Sequence, residues 1–354
     1  MLPFMLRPDQ AMQEVATFND KLVRGLTTLS TLGPIEVGAS AKTAIYSEDK
    51  LVLYRFEPLV ERPFAIPVLV VYALVNRPYM ADLQKDRSMI RRLLEAGLDV
   101  YLIDWGYPDG ADRYLGLDDY INGYISRCVD VVRKRHDLPA INLLGICQGG
   151  TFSLCFSALH PERVKNLIVM VTPVDFHAGN NILSHWGRNI DVDLLVDTLG
   201  NVPGELLNFV FLSLRPYRLT GQKYVDVVNI LDDAEQMKNF VRMEKWIFDS
   251  PDQAGEAFRA FVKDFFQNNG LMKGEIEIGG RTVDLRNITM PVMNVFATED
   301  HLVPPDASKA LKACVGTDDY REVSFRGGHI GIYVSGRAQR DIPAAIDTWL
   351  RARA

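Results

Sequence analysis

A cysteine framed by glycines lies between an apolar segment and a helical one, and this pattern limits the folds that the chain can adopt. Residues 141–150 read INLLGICQGG, and a helical run continues over 151–160. A nucleophile in such a strand-to-helix turn has a strained backbone that lifts its side chain clear of the sheet. Flanking Cβ atoms would clash there, so glycine is needed two residues either side, as at Gly145 and Gly149. The pattern predicts a nucleophile elbow with Cys147 at its tip.

An inert core thiol is the alternative for Cys147, because free cysteines are usually buried and unreactive. The strand before it and the helix after it favour the nucleophile. Cys128 lies on an apolar helical stripe, and Cys155 lies eight residues along the helix leaving the elbow, about 12 Å away at 1.5 Å per residue. Cys314 follows an apolar helix without a glycine turn. We therefore expect these three thiols to be inert.

Apolar segments of strand length alternate with helical stripes on both sides of the elbow. Strands are predicted over 67–73, 98–103, 141–144, 164–171, 292–297 and 321–325, after an antiparallel hairpin that turns at 47–50. This alternation implies a mostly parallel sheet with right-handed crossovers and helices on both faces. Together with the elbow, it predicts the α/β-hydrolase fold.

The alternation breaks between the fourth and fifth strands of that series. We interpret residues 176–285 as an inserted cap, or lid, which leaves 1–175 as the N-terminal segment with the first part of the core and 286–354 as its remainder. A small insertion can hardly bury all of its aromatic side chains without lying on the site. These side chains are Phe209, Phe211, Trp246, Phe248, Phe261, Phe265 and Phe266. A lid over the elbow and an ordinary rigid subdomain both remain open.

The acid and the base are expected to follow the nucleophile in the order cysteine, acid, histidine. The stretch NVFATEDHLVPP ends a predicted strand at Asp300, and SFRGGHIG places His329 just past the next strand. We predict that His329 deprotonates Cys147 and that Asp300 holds the imidazole in the required tautomer.

Neighbouring positions leave alternatives for both of these residues. Glu299 and Asp306 are rivals for the acid, because a strand end is easily misplaced by a residue. His301 is the rival histidine, although it would point away from the site if the acid at position 300 faces it. For the oxyanion hole, the fold uses the N–H after the nucleophile, here that of Gln148, and one from the loop VVYALVNRPY. Val75 is our choice there, with Asn76 as the alternative.

Composition excludes some partners. Lys and Arg total 39 against 45 Asp and Glu, a net charge of −6, and no stretch concentrates basic residues, so we expect no nucleic acid. The longest apolar run, 65–75, is far short of the roughly 20 residues of a membrane-spanning helix. The N-terminal MLPFMLRPDQ does not resemble a secretory signal, so we expect a cytoplasmic protein. No pattern indicates a metal or an organic cofactor.

Seven stretches together resemble those of polyhydroxyalkanoate synthases, and they cover most of the chain. These are VNRPYMADLQ, VYLIDWGYPD, LLGICQGGTF, LSLRPYRL, GEIEIGGRTVDLRNITMPV, EDHLVPP and GGHIG. The resemblance implies polymerisation of (R)-3-hydroxyacyl-CoA with release of CoA, through a triad at Cys147, Asp300 and His329. It also implies a homodimer or higher oligomer located on polymer granules.

The GICQGG elbow is similar to that of the class III enzymes, whose catalytic subunit works with a separate E subunit. The class IV enzymes, which have an R subunit, remain the alternative. Two other functions share the predicted fold: a cysteine hydrolase of the thioesterase or dienelactone type, which admits water to the acyl-enzyme, and a non-catalytic granule-binding protein. An intact triad favours the synthase over the last of these.

Overall fold

The computed structural model describes residues 33–179 and 181–354, together with isolated positions between 12 and 31. The first ten residues, interpreted above as lacking a secretory signal, lie outside the described residues. Within the described part of the chain, no helix is both long enough and apolar enough to cross a membrane.

An eight-stranded sheet forms the centre of the molecule. Its strands, along the chain, are β1 Lys42–Glu48, β2 Leu51–Phe56, β3 Val68–Val71, β6 Val100–Asp104, β7 Ile141–Ile146, β8 Val164–Met170, β11 Val292–Ala297 and β12 Tyr320–Phe325. Their order across the sheet is β1-β2-β6-β3-β7-β8-β11-β12. The pairs β1·β2 and β2·β6 are antiparallel, and all the other pairs are parallel. Two hairpins lie outside the sheet: β4 Asp82–Gln84 with β5 Arg87–Ser88, and β9 Glu277–Ile278 with β10 Arg281–Thr282.

The sheet confirms the predicted architecture. Every strand predicted from the sequence is present within a few residues of its expected bounds, including the N-terminal hairpin. The central strands β3 and β7 are buried along their whole length, because helices cover both faces of a parallel sheet. Two large apolar clusters form the core, one of them containing Phe152 and the other containing Trp349.

Helices pack around the sheet and fill the segment between β8 and β11. Those of the first part are α1 Met89–Glu95, α2 Ser126–His136 and α3 Gln148–Leu159. Between β8 and β11 lie α4 Ile182–Asn189, α5 Val192–Leu199, α6 Gly204–Ser213, α7 Lys223–Val227, α8 Ala234–Phe248, α9 Gly255–Ala260 and α10 Gly270–Lys273. The last part contains α11 Pro305–Lys309, α12 Gly331–Val334 and α13 Gly336–Arg351. Three stretches that the sequence did not distinguish from α-helix are π-helical: Asp119–Ile125, Tyr217–Gln222 and Phe261–Gln267.

The aromatic side chains of the proposed cap divide into two groups. Phe261 and Phe265 are buried in the core cluster that includes Phe152. Phe209 and Phe248 are 68% and 60% exposed, so the expectation that all of these rings need cover from the site is wrong for these two. The bounds of the cap itself remain a prediction.

Candidate active site

Cys147 occupies the turn between β7 and α3. Its backbone has φ 55° and ψ −124°, a conformation that a residue with a side chain rarely adopts. A Cβ at Gly149 would overlap the carbonyl oxygens of Val71 and Tyr72, and one at Gly150 would overlap the side chain of Thr172. These glycines let the ends of β3 and β8 approach the elbow closely. This close packing holds the strained cysteine in place.

His329 and Asp300 form a buried pair at the ends of β12 and β11. His329 Nδ1 lies 2.7 Å from Asp300 Oδ2, and both residues are buried. The other carboxylate oxygen, Oδ1, accepts hydrogen bonds of 2.9 Å from the N–H groups of Leu302 and Val303. These backbone donors fix the carboxylate, and the carboxylate in turn fixes the plane of the imidazole.

The side chain of Cys147 lines the same cavity and interacts electrostatically with the imidazole. Because Asp300 occupies Nδ1, the nitrogen left for the thiol is Nε2. Burial opposes the charged form of His329, but the charges of Asp300 and Cys147 and the hydrogen bond to Asp300 outweigh it and raise the pKa of His329 to about 10. The ring therefore favours the imidazolium form, which stabilises a thiolate beside it.

The rival acids lie elsewhere. Glu299 is solvent-exposed and pairs with Arg326 at 3.3 Å, and Asp306 is exposed on α11. The rival histidine, His301, lines the same cavity as Cys147, so the cavity alone does not separate the two histidines. His329 differs from His301 in its buried pairing with Asp300.

A cavity of about 1130 Å³ opens over the elbow. Cys147, Gln148, Val75 and His329 line it on the side of the sheet, so it brings together four of the five predicted site residues. The fifth, Asp300, lies behind the imidazole. Apolar side chains from α6 and α8 line the opposite side. The space is large enough for a drug-sized or larger acyl ligand with an apolar chain.

A side-chain hydrogen bond joins the loop after β3 to the elbow. The side-chain oxygen of Gln148 accepts a 3.1 Å hydrogen bond from the N–H of Leu74. The neighbouring Val75 has no hydrogen-bond acceptor for its N–H among the described residues. An N–H without an acceptor, in a residue that lines the cavity with Cys147, is suited to an oxyanion hole.

Two tyrosines beside the nucleophile were missed in the sequence. Tyr72 and Tyr333 are buried and line the cavity with Cys147, and the ring of Tyr333 packs edge-on against His329 with centroids 6.5 Å apart. Burial, and then the nearby charge of Cys147, raise the pKa of Tyr72. The available signals were weak: one tyrosine directly follows a buried strand, and the other lies one helical turn after the histidine.

The remaining thiols are separated from this site. Cys128 and Cys155 are fully buried in an apolar cluster, and burial raises the pKa of both, that of Cys155 to about 12. Cys314 is half-buried, with Sγ 3.5 Å from Met272 Sδ. Burial raises the pKa of Cys314 as well. Thiols of this kind are poor nucleophiles at neutral pH.

Comparison with known proteins identifies the fold of the chain. Residues 66–335 match the family model of the alpha/beta hydrolase fold. A monoacylglycerol lipase from Paleococcus ferrophilus has the same fold, with a TM-score of 0.53 at 15% identity over 86% of this chain and 100% of the lipase. The molecule is thus an α/β-hydrolase-fold protein.

Sequence relatives narrow the class. The chain is 61% identical over its full length to the whole of the poly(3-hydroxyalkanoate) polymerase subunit PhaC of Allochromatium vinosum. It is 58% identical, again with both chains fully covered, to the protein of the same name from Thiocystis violacea. This chain belongs to the PhaC family of poly(3-hydroxyalkanoate) polymerase subunits, which confirms the resemblance seen in the sequence motifs.

Proposed function

We propose that this chain is the catalytic subunit of a polyhydroxyalkanoate synthase, which polymerises (R)-3-hydroxyacyl-CoA, such as 3-hydroxybutyryl-CoA, and releases CoA. The observation that carries the proposal is the buried pair of His329 and Asp300, 2.7 Å apart, at a cavity that His329 and the strained Cys147 both line. Membership of the PhaC family supplies the substrate class.

The first step is acylation of Cys147. The thiolate sulfur attacks the thioester carbonyl carbon of the substrate, and the N–H groups of Val75 and Gln148 stabilise the oxyanion that forms. The carbon–sulfur bond to CoA then breaks, and the departing CoA thiolate takes the proton of the His329 imidazolium. One thioester replaces another, so the step is nearly balanced in free energy and the acyl group remains reactive.

The second step lengthens the polymer. The neutral imidazole of His329 accepts the proton of a 3-hydroxyl group as that oxygen attacks the acyl-thioester carbonyl. An ester bond forms and the bond to the Cys147 sulfur breaks, which restores the thiolate beside the His329 imidazolium. Asp300 stabilises the imidazolium in both steps, and this matters more for the alcohol because an alcohol is harder to deprotonate than a thiol.

Exclusion of water separates this reaction from hydrolysis. An acyl-thioester on Cys147 that met water would give free 3-hydroxy acid, as in a thioesterase. The apolar side chains of α6 and α8 above the elbow disfavour water at the acyl group. This lining supports polymerisation over the cysteine-hydrolase alternative.

The direct test is incubation of the chain with 3-hydroxybutyryl-CoA, with CoA release and polymer measured in the same sample. We expect both to rise together. Release of CoA with free 3-hydroxybutyrate and no polymer would identify a hydrolase instead. No release of CoA, either alone or with a partner subunit, would contradict both functions.

The partner and the location of the enzyme belong to the same proposal. The GICQGG elbow and the PhaC relatives support a class III enzyme that works with an E subunit, as a homodimer or higher oligomer at the surface of polymer granules in the cytoplasm. Addition of an E subunit should raise polymer yield. If only an R subunit raises it, the chain belongs to class IV.

A further inference from the structure

The loop that carries Val75 is tied directly to the end of α8. The side-chain Nδ2 of Asn76 donates to Ser250 Oγ at 2.9 Å, to the carbonyl of Ile247 at 3.2 Å and, more weakly, to that of Trp246 at 3.4 Å. The last carbonyls of a helix have no partner within the helix. Asn76, in the loop after β3, therefore caps the C-terminus of α8.

The tie is made from both sides. The indole N–H of Trp246 donates a 2.8 Å hydrogen bond to the carbonyl of Arg77. One residue beyond α8, the carboxylate of Asp249 accepts hydrogen bonds from the hydroxyls of Tyr79 at 2.9 Å and Tyr107 at 2.5 Å. The loop after β3 and the end of this helix thus form one hydrogen-bonded unit, which we call the α8 junction.

The conformation of Asn76 adds to this argument. Its φ is 57°, in the left-handed region, which asparagine tolerates better than most residues and glycine better still. The N–H of the proposed oxyanion donor Val75 lies one residue before Asn76 in the chain. A change in the backbone of Asn76 would shift Val75 and with it the direction of this N–H.

We infer that Asn76 is a positioning residue that holds the Val75 N–H in the oxyanion hole by anchoring its loop to α8. The inference rests on the proposed function, because it assigns a role within the acylation step. Helix α8, which lines the cavity through Phe240 and Met243, then affects the rate of acylation because it holds this loop. A helix displaced by a ligand would carry the loop with it.

Asn76→Gly tests this role, because glycine keeps the left-handed backbone and removes only the amide. We expect single-turnover CoA release from 3-hydroxybutyryl-CoA to fall by about 10- to 100-fold, somewhat less than the loss of a whole oxyanion donor. Alkylation of Cys147 by iodoacetamide should not change, since displacement at a saturated carbon forms no oxyanion. Trp246→Phe removes the reciprocal bond and should lower CoA release in the same direction by a smaller factor.

Asn201→Ala is the matched control. The amide of Asn201 also joins the segment between β8 and β11 to a loop from the first part of the core. Its Nδ2 donates to the carbonyl of Asp109 at 2.6 Å, and its Oδ1 accepts from the Gly255 N–H at 3.3 Å. Asn201 is not part of the α8 junction. CoA release by this variant should match wild type.

Three results would overturn the inference. These are wild-type CoA release in both the Asn76 and the Trp246 variant, an equal loss of CoA release and alkylation, and an equal loss in the Asn201 control. If Asn76→Gly fails to fold, the Trp246→Phe result decides the question alone. Failure of the proposed function would differ from all of these, since the wild-type protein itself would then release no CoA.

Discussion

The two walls of the cavity are built in different ways. On the side of the sheet, the reactive groups lie at strand ends whose neighbours are almost wholly buried, and Asp300 is anchored by two backbone donors. On the side of the helices between β8 and β11, large apolar side chains remain in solvent, among them Leu194 and Phe209 at 65% and 68% exposure. The first wall is packed to hold atoms in place, whereas the helices that supply the second wall leave apolar surface uncovered outside the cavity.

The difference indicates a division of work between the walls. Chemistry that depends on hydrogen-bond distances needs side chains whose surroundings cannot shift, and close packing provides that. A wall that admits a substrate and a growing chain does not need a single close-packed arrangement. The α8 junction is the place where the second wall is tied to the first.

The largest effect should come from the nucleophile itself. We expect Cys147→Ala to lower CoA release by at least about four orders of magnitude while the protein still folds, because the covalent step is lost. Cys155→Ala is the matched control, since it removes a thiol from the helix that follows the elbow and that thiol lies in the core. It should cost only about 1 kcal/mol in the free energy of unfolding. Steady-state release of CoA checks both variants, and retention of a tenth of wild-type activity in Cys147→Ala would disprove the assignment.

The next effect separates the two histidines of the cavity. His329→Gln should lower turnover by about three orders of magnitude or more, because the base is lost. Iodoacetamide labelling of Cys147 at pH 7 should slow by about tenfold, since an unassisted thiol is only a few per cent ionised. His301→Gln, which alters the same cavity, should label at the wild-type rate. If His301→Gln slows labelling and His329→Gln does not, the base is His301.

A third comparison tests the packing of the two walls. Phe152 is fully buried in the core beside Phe261, with ring centroids 5.9 Å apart, whereas Phe209 is largely exposed on α6. Phe152→Ala should lower the free energy of unfolding by about 3–5 kcal/mol. Phe209→Ala should change it by less than about 0.5 kcal/mol. Urea unfolding measures both, and similar losses would show that the walls are packed alike.

The smallest effect is a pH dependence of stability. The pKa of His329 is raised in the folded protein from 6.5 to about 10, so the folded state holds a proton that the unfolded state releases between these values. The resulting stabilisation is fully present below pH 6.5 and is lost as the pH rises towards 10. Asp300→Asn removes the main charge that raises this pKa, so its stability should fall less steeply over that range. Parallel slopes in urea unfolding would contradict the pairing.

Local features were predictable from the sequence because their causes are local. The glycines around Cys147 reveal a strained turn, and unbroken apolar runs such as 68–71 reveal strands buried on both faces. The order of nucleophile, acid and histidine along the chain left three candidate residues for the acid and two for the base.

Tertiary packing decided what depends on distances through space. Exposure separates Asp300 from Glu299 and Asp306, and only the fold brings Asp300 to a histidine 29 residues later. Asn76 meets the end of α8 across 171 residues of chain, and no local pattern marks that contact. The physical reason is that strand order and helix packing, rather than spacing along the chain, determine which distant polar groups come within hydrogen-bond reach.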